Sequence, residues 1–223
     1  MYAGGSGPRA TTLLHPTSLD LTQRRIAVVG ANGSGKSTLL RLLNGLVLPT
    51  RGQVLVDGLD TRRDGPAVRR RVGFVFTEPL AQLVMSTPVE DVELSLRRTI
   101  RDRRARRAAA MDLLTRAGLA PLATQSIYDL SGGERQLLAL TSVLATDPTV
   151  LVADEPTTLL DLRNREVVRR ALTEVAQQLV YATHDLDLAL DADRVLVIDG
   201  GRVVHDGAPV PAVAAYRALV GVP

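Results

Sequence analysis

The chain has 223 residues, 45% of them hydrophobic, which is enough for one large domain or for a domain with a subdomain. It contains no cysteine, which excludes disulfides and thiolate metal sites and suits the cytoplasm. No apolar run approaches the roughly 18–20 residues that cross a bilayer, and no signal peptide is visible. The net charge is only +3, so the pI of about 9.8 reflects arginine's very high pKa rather than a nucleic-acid partner.

The predicted elements begin after a glycine-rich stretch. Residues 1–12 contain Gly-Gly-Ser-Gly-Pro and are expected to form a flexible leader. Residues 13–21 carry scattered leucines and are predicted to form an edge strand. The apolar run 26–29 predicts a buried strand, and residues 37–46 predict a helix.

Strands and helices alternate along the rest of the chain. A hairpin is predicted over 52–58, because Asp57-Gly58 favours a tight turn. The remaining predicted elements are strands over 72–76, 150–155, 179–183, 194–198 and 202–204, and helices over 88–96, 103–117, 131–145, 163–177 and 210–220. This alternation predicts an α/β fold with a mostly parallel sheet covered by helices on both faces.

Residues 30–37 read Gly-Ala-Asn-Gly-Ser-Gly-Lys-Ser and match the phosphate-loop pattern at every required position. Glycines let the backbone fold round an anion, and the loop N–H groups and the following helix dipole then attract phosphate. Lys36 is the only lysine in the chain and can reach the β- and γ-phosphates, while the Ser37 hydroxyl can bind Mg²⁺. The predicted nucleotide contacts in this loop are Asn32, Gly33, Ser34, Gly35, Lys36, Ser37 and Thr38.

Two carboxylates, Asp154 and Glu155, end a predicted hydrophobic strand. Asp154 can hold Mg²⁺, and Glu155 can take a proton from an attacking water. Neighbouring side chains of a strand point to opposite faces, so a turn at the strand end must bring these two into one site.

The sequence Leu-Ser-Gly-Gly-Glu at 130–134 narrows the choice among the many families of nucleotide-binding proteins that contain a phosphate loop. Together with the phosphate loop and the two carboxylates, it resembles the signature motif of the ATP-binding subunits of ABC transporters. Ser131 and Glu134 also have capping-box spacing, so local structure is an alternative explanation for them. Thr-Leu-Leu-Asp at 158–161 resembles the D-loop of this family, and His184, which follows a predicted strand, resembles its switch histidine.

The resemblance implies the P-loop NTPase fold of an ABC ATPase over 13–208, with an antiparallel β portion, a helical subdomain over about 80–135 and a short C-terminal helix or tail over 209–223. It implies phosphoryl transfer to water, with ATP and Mg²⁺ sandwiched between two subunits that meet head to tail. The resemblance then implies that Glu155 and His184 are the catalytic residues. It implies that Ser37 and Asp154 bind Mg²⁺. The nucleotide contacts implied outside the phosphate loop are Ser131, Gly132, Gly133, Gln136 and Asp161.

Two positions depart from the family pattern. Thr77 stands where the family has a glutamine that contacts Mg²⁺ and the attacking water, and threonine needs a bridging water to reach that far. No aromatic residue stands before the phosphate loop where the family stacks a ring on adenine.

Residues 78–83 resemble a glutamine-containing segment of energy-coupling-factor transporters, which import vitamins and metal ions. In that class the segment borders the groove that holds the membrane partner, so Glu78 and Gln82 are expected to face a transmembrane coupling subunit. The alternative is that Glu78 is merely a turn residue. The run 77–92 looks most like the biotin-uptake ATPases of this class.

The implied assembly is a homodimer, or a pair with a related ATPase, beside the coupling subunit and a substrate-binding membrane subunit at the cytoplasmic face of the cell membrane. No direct nucleic-acid contact is expected. The alternatives are an ATPase of another ABC importer or exporter and a soluble ABC-type ATPase that acts on nucleic acid. The stretch between Ser37 and Ser131 lacks the sustained heptads of a DNA-repair ATPase.

Seven arginines crowd residues 97–107. A solvated helix face and contact with anionic lipid headgroups beside a membrane partner are the two open interpretations. No aromatic rings are interleaved with these arginines, which argues against nucleic acid.

Overall fold

The computed structural model describes residues 3–4 and 11–221, with side chains from Thr12 onward. Its strands are β1 (Ala3–Gly4), β2 (Thr11–Thr12), β3 (Arg25–Val29), β4 (Leu55–Val56), β5 (Leu59–Asp60), β6 (Val72–Val75), β7 (Val150–Asp154), β8 (Gln178–Ala182), β9 (Arg194–Asp199) and β10 (Arg202–Gly207). Its helices are α1 (Lys36–Leu43), α2 (Gly65–Arg71), α3 (Pro88–Leu96), α4 (Arg103–Arg116), α5 (Gly132–Leu144), α6 (Leu162–Thr173), α7 (Leu186–Leu190) and α8 (Pro209–Val220).

A six-stranded sheet with the order β10-β9-β3-β8-β7-β6 forms the centre of the fold. The four strand pairings from β9 to β6 are all parallel, and only β10 runs antiparallel to its neighbour in this sheet. Parallel strands end at the same edge, so the loops after β3, β6, β7 and β8 all leave the sheet there. This edge is where α/β sheets bind ligands.

Alternating side chains of β3 divide the core between the two faces of the sheet. Ile26 and Val28 pack with α1 and α2, whereas Ala27 and Val29 pack with α5 to α8. The mostly parallel α/β fold predicted from the sequence is confirmed, and β4, β5 and β10 supply its antiparallel portion.

A third hydrophobic cluster lies among α3, α4 and α5, away from the sheet. Its fully buried members include Val92, Ala110, Leu114 and Leu138. The side chain of Asp91 is also buried here and accepts hydrogen bonds from the N–H groups of Val84 (2.8 Å) and Met85 (3.1 Å) and from the hydroxyl of Ser142 on α5 (2.7 Å).

The predicted edge strand over 13–21 is wrong. These residues follow an irregular path, joined to the β9–β10 turn by one backbone hydrogen bond from His15 to Gly201. Pro16 follows directly and has no N–H with which to continue a ladder.

The helix predicted over 163–177 also ends early, at Thr173. Arg25 donates a hydrogen bond to the Thr173 carbonyl (2.5 Å) and Arg24 to the Val175 carbonyl (2.9 Å). These arginines satisfy carbonyls at the helix end, so the chain turns into β8 instead of continuing as helix.

Most of the predicted leader lies outside the described residues. Within it, β1 pairs with β2 in a two-residue antiparallel ladder. Among the residues that the structure does describe, no helix has the length and apolar character needed to cross a membrane.

Candidate nucleotide site at the sheet edge

The phosphate loop connects β3 to α1, as the sequence predicts. The N–H groups of Lys36, Ser37 and Thr38 at the start of α1 make no hydrogen bond within the described part of the chain. The Ser34 side chain is 5% exposed, and its hydroxyl likewise has no partner there. A cluster of unpaired donors at a helix start is suited to a phosphate.

Leu13 packs against this loop from the preceding segment. A Cβ on Gly35 would lie 2.8 Å from the Leu13 carbonyl oxygen, and Gly35 has a φ of +112°, so only glycine fits. Asn32 and Gly33 are exposed at the rim of the loop. The close approach of Leu13 explains why the irregular N-terminal segment contributes to the site.

The ammonium group of Lys36 is held inside the loop. Its Nζ donates to the carbonyl oxygens of Gly30 (2.8 Å) and Ala31 (3.3 Å) and lies 3.4 Å from Oε1 of Glu155. Only 6% of Lys36 is exposed. A buried point charge surrounded by oxygen acceptors marks the place where a phosphate oxygen would be attracted.

Asp154 is the most deeply buried carboxylate of the site, with 2% of the residue exposed. Ser37 donates a hydrogen bond of 2.9 Å to its Oδ1, and Arg41 lies 3.9 Å from Oδ2. Burial raises the pKa of the Asp154 carboxyl above its ordinary value, and the Ser37 hydrogen bond opposes that shift. Arg41 was not predicted, although its spacing four residues after Ser37 places it on the same face of α1.

Glu155 reaches the site because the chain turns sharply at the end of β7. Its φ is +53°, in the left-handed region that residues with side chains rarely adopt. This turn breaks the alternation of the strand, so Asp154 contacts Ser37 while Glu155 contacts the adjacent Lys36. The side chains of Asp154 and Glu155 therefore face the same site, as the sequence analysis required.

His184 lies beside Glu155, just after β8. Its Nδ1 is 2.7 Å from Oε2 of Glu155, and its backbone N–H donates to the same oxygen at 3.2 Å. Thr158 adds a hydroxyl donor at 3.3 Å, a contact that sequence reasoning missed. Lys36, Glu155 and His184 therefore form one continuous chain of polar contacts, and the His184 side chain is 54% exposed at its outer end.

Thr77 and Gln82 lie next to this edge but use their polar groups internally. The Thr77 hydroxyl donates to the backbone carbonyl of Asp154 (2.8 Å), not to its carboxylate. Gln82 accepts from the Phe76 N–H (2.8 Å) and donates to the Ala139 carbonyl on α5 (3.4 Å). The Gln82 amide thus joins the end of β6 to α5, and contact of this half-buried residue with a membrane partner stays a prediction. Glu78 is exposed.

The signature-like stretch forms the exposed start of α5. Ser131 accepts from the Glu134 N–H (3.3 Å) and Glu134 accepts from the Ser131 N–H (2.7 Å), so the capping box is real. A Cβ on Gly133 would lie 2.5 Å from the Asn164 side chain, so a larger residue is excluded there. Among the residues described, no hydrogen bond or ion pair joins 131–133 to the phosphate loop of the same chain.

Two further predicted contacts lie near this stretch in sequence or space. Gln136 is 3% exposed on α5, and its Nε2 has no hydrogen-bond partner among the described residues. Asp161 caps α6 by accepting from the Asn164 N–H (2.8 Å). The structure thus gathers Lys36, Ser37, Asp154, Glu155 and His184 into one site and leaves the signature residues outside it.

Residues 14–158 match the model of the family described as ABC transporter. The chain belongs to the ABC transporter ATP-binding family.

Several relatives align with this ABC ATPase over almost its whole length. A Deinococcus radiodurans protein of the family is 49% identical over 92% of this chain and 91% of its own. The biotin transport ATP-binding protein BioM of Rhizobium etli is 41% identical over 94% of this chain and 93% of its own. The energy-coupling factor transporter ATP-binding protein EcfA1 of Symbiobacterium thermophilum is 41% identical over 93% of this chain and 74% of its own.

Solved structures confirm the ABC ATPase fold. The cassette MJ0796, a dimer in a post-hydrolysis state bound to ADP and Pi, superposes with a TM-score of 0.83 at 29% identity, covering 93% of this chain and 95% of that one. CbiO1 from Clostridium perfringens, part of the ABC transporter complex cbiONQ, gives 0.82 at 28% identity, covering 95% and 88%. This chain is accordingly an ATP-binding, ATP-hydrolysing subunit of an ABC transporter.

The residues of this ABC ATPase also fit a magnesium ion accompanying ATP. No group of three or more His, Cys, Asp or Glu side chains that could hold a metal exists among the described residues. Mg²⁺ in nucleotide sites needs fewer, because phosphate oxygens and waters complete its octahedral shell. The Ser37 hydroxyl and the Asp154 carboxylate, 2.9 Å apart, are the oxygen ligands available.

Proposed function

We propose that this ABC ATPase powers an energy-coupling-factor transporter that imports a vitamin, with biotin as the favoured substrate. The relatives named BioM and EcfA1 support this class, and so do the residues 77–92 that resemble biotin-uptake ATPases. A substrate-binding membrane subunit would hold the vitamin, so no residue of this chain contacts it.

We further propose that two copies, or this chain and a related ATPase, sandwich ATP and Mg²⁺ head to tail. The observation that carries this proposal is the separation of the exposed Ser131 and Gly132 from their own phosphate loop. Leu159 and Leu162, which flank Asp161, are 90% and 80% exposed, and apolar surface of this kind favours an interface.

The polar chain from Lys36 to His184 suggests how the site works. Bound Mg²⁺ would neutralise phosphate charge, held by Ser37 and Asp154. Lys36 would exchange its contact with Glu155 for a phosphate oxygen, which frees Glu155 to accept a proton from water. His184, 2.7 Å from Glu155, would keep that carboxylate oriented. Thr77 remains a weaker candidate for positioning Mg²⁺ or the water.

For the coupling subunit we propose a contact surface at the turn before α3. Glu78 is exposed there, and Val84 is 73% exposed. Gln82 is half-buried in the same turn and remains part of this surface, although its amide also forms internal hydrogen bonds. Such contact would hold the chain at the cytoplasmic face of the membrane as a peripheral subunit.

The test is reconstitution with the candidate membrane subunits in proteoliposomes. We expect ATP-dependent uptake of labelled biotin, and no uptake when Glu155→Gln replaces the parent chain. Parallel assays with other vitamins and with cobalt or nickel ions test the substrate. Uptake of a metal ion without biotin would overturn the substrate, and absence of any complex with membrane subunits would overturn the transporter class.

A further inference from the structure

The segment between α3 and α4, together with the start of α4, carries a concentrated positive charge. Residues 97–107, here called the basic tip, hold seven of the 27 basic side chains and one of the 24 acidic ones, so the tip carries +6 and the rest of the chain −3. The basic members are Arg97, Arg98, Arg101, Arg103, Arg104, Arg106 and Arg107. The charge of the molecule is therefore strongly polarised.

Most of this charge is not used by the fold. Arg106 donates to backbone carbonyls at the start of the tip, and Arg107 lies 3.6 Å from Glu93. Asp102, the one acid, caps α4 by accepting from the Ala105 N–H (2.7 Å). The side chains of the other five arginines are exposed and form no hydrogen bond or ion pair among the described residues.

Some arginines elsewhere on the surface are paired with carboxylates. Arg169 forms a two-point pair with Asp191 (2.6 and 2.8 Å), and Arg194 forms one with Asp206 (2.6 and 2.6 Å). A solvated helix face with a purely structural role would be expected to mix charges in the same way. The basic tip keeps its like charges together, at a cost in mutual repulsion.

The shape beside the tip also points to an anionic amphiphile. Arg103, Arg104 and Arg107 line an open depression between α3 and α4, together with the apolar side chains of Ala108 and Met111 and the acidic side chains of Glu93 and Asp102. Glu93 is paired with Arg107 and Asp102 caps α4, so Arg103 and Arg104 remain as unpaired cations beside apolar side chains. That combination suits a phosphate attached to a glycerol and acyl chain. The absence of aromatic residues from 97–111 gives nucleic-acid bases nothing to stack on.

We propose that the basic tip binds anionic phospholipid headgroups of the membrane that contains the coupling subunit. The inference rests on the proposed function, because it requires the chain to work at a membrane. The nine residues of α3, about 13 Å long, separate the tip from the turn at 78–85 proposed to meet that subunit. That separation keeps the two surfaces from overlapping, and the lipid contact would fix the orientation of the ATPase against the bilayer.

The experiment compares the full chain with two variants matched in charge. The tip variant changes Arg97, Arg98, Arg101, Arg103 and Arg104 to glutamine. The control variant changes five other exposed arginines without side-chain partners to glutamine, namely Arg51, Arg63, Arg69, Arg70 and Arg202. Each is mixed with vesicles of phosphatidylcholine alone or with added phosphatidylglycerol, and sedimentation measures binding at low and high salt.

We expect the parent and the control variant to bind the anionic vesicles and to be released by salt. Each headgroup-proximal arginine strengthens binding about fivefold, so the tip variant should bind at least about a hundredfold more weakly. Equal loss in both variants would show a net-charge effect and overturn the proposal. Binding of the tip variant to anionic vesicles as tight as that of the parent would also overturn the proposal. If that same variant failed to assemble with membrane subunits, the occupant of the basic tip would be an acidic protein segment instead.

The vesicle assay uses this chain alone and needs no transport. Vesicle binding without any complex with membrane subunits would overturn the proposed function. If the transporter is active but this chain does not bind anionic vesicles, only the role of the basic tip would be overturned.

Discussion

A single backbone dihedral decides whether two neighbouring carboxylates can share the nucleotide site. With an extended φ, Glu155 would point to the opposite face of β7 from Asp154. Its observed φ of +53° is a strained backbone conformation, and such conformations are found most often at functional sites. The strain is offset by contacts from Lys36, Thr158 and His184 to the carboxylate.

The variant Glu155→Gln tests this residue. Glutamine preserves the shape but cannot accept a proton from water, so ATP turnover should fall by about 10²–10⁴-fold while ATP binding persists. Because hydrolysis then no longer releases the nucleotide, we expect an ATP-dependent dimer in size-exclusion chromatography with light scattering. Turnover at the parent rate would show that another group acts as the base.

At the scale of elements, the turn over 84–85 is tied to α5 by the buried carboxylate of Asp91. It accepts from the N–H groups of Val84 and Met85 in this turn and from the hydroxyl of Ser142 on α5. Gln82 forms a second tie, from β6 to α5. Movement at the turn proposed to meet the membrane partner would therefore be passed to the helix that begins with the signature residues.

The variant Asp91→Asn should weaken this tie. An asparagine keeps a neutral acceptor for the Val84 and Met85 N–H groups but loses the charge that strengthens these hydrogen bonds and forces the Ser142 hydroxyl to change from donor to acceptor, so we expect the unfolding free energy to fall by about 1–3 kcal/mol. Urea denaturation measures this loss. Ser142→Ala removes one of the three donors and should cost less, about 1 kcal/mol. A fully stable Asp91→Asn protein would contradict the assigned contacts.

The terminal hairpin carries a pH-dependent element. The hydrogen bond from Arg194 holds the pKa of Asp206 below its ordinary value, so the folded state favours the ionised carboxylate. Its stabilisation is present above the ordinary pKa of about 4 and is lost as the pH falls through the lower folded-state value. Arg194 also binds the Asp20 carbonyl and Gln23, which attaches the irregular N-terminal segment to the hairpin.

We expect Asp206→Asn to reduce the unfolding free energy at pH 7 by about 1 kcal/mol or less, because the pair is partly exposed. The difference from the parent should shrink below pH 4, where the parent carboxylate is protonated. Asp199→Asn, an exposed position at the end of β9, is the matched control and should change little. A constant difference down to pH 2 would show that the pair does not titrate as assigned.

At the scale of the whole molecule, one edge of the sheet brings together the phosphate loop, the two carboxylates after β7 and the histidine after β8. Hydrophobic cores on both faces of the sheet hold β3, β7 and β8 in place, so their end loops meet. The separate core of α3, α4 and α5 carries the signature residues elsewhere. This division of the molecule is the physical basis of the proposed head-to-tail pair.

Mixing two inactive variants tests that pairing. Lys36→Ala damages the phosphate loop, and Ser131→Arg damages the signature. In a mixed head-to-tail dimer one site contains both defects and the other contains neither. Random pairing should therefore restore up to about a quarter of the parent ATPase rate.

The control for this experiment places both substitutions in one chain. Mixed with either single variant, the double variant leaves no intact site and should restore nothing. Failure of the Lys36→Ala and Ser131→Arg mixture to exceed either variant alone, under conditions where the parent dimerises, would contradict the shared site.

The sequence by itself predicted the six strands of the central sheet, most of the helices and the family. Strand, phosphate loop and helix follow one another in a pattern that local geometry and glycine placement specify. The strand carrying Asp154 and the capping box of Ser131 and Glu134 are equally local. Because each of these features depends on residues close together in the chain, a reading of consecutive residues was enough to predict them and the family.

The tertiary structure decided what depends on residues far apart in the chain. It turned Glu155 toward Lys36, directed the Gln82 amide inward to α5, and packed Leu13, from a segment outside the sheet, against Gly35. It also revealed Asp91 on α3 as a buried acceptor that joins the turn at 84–85 to α5. The direction of a side chain at a turn, and the partner of a buried polar group, follow from how distant strands and helices pack, which no local pattern specifies.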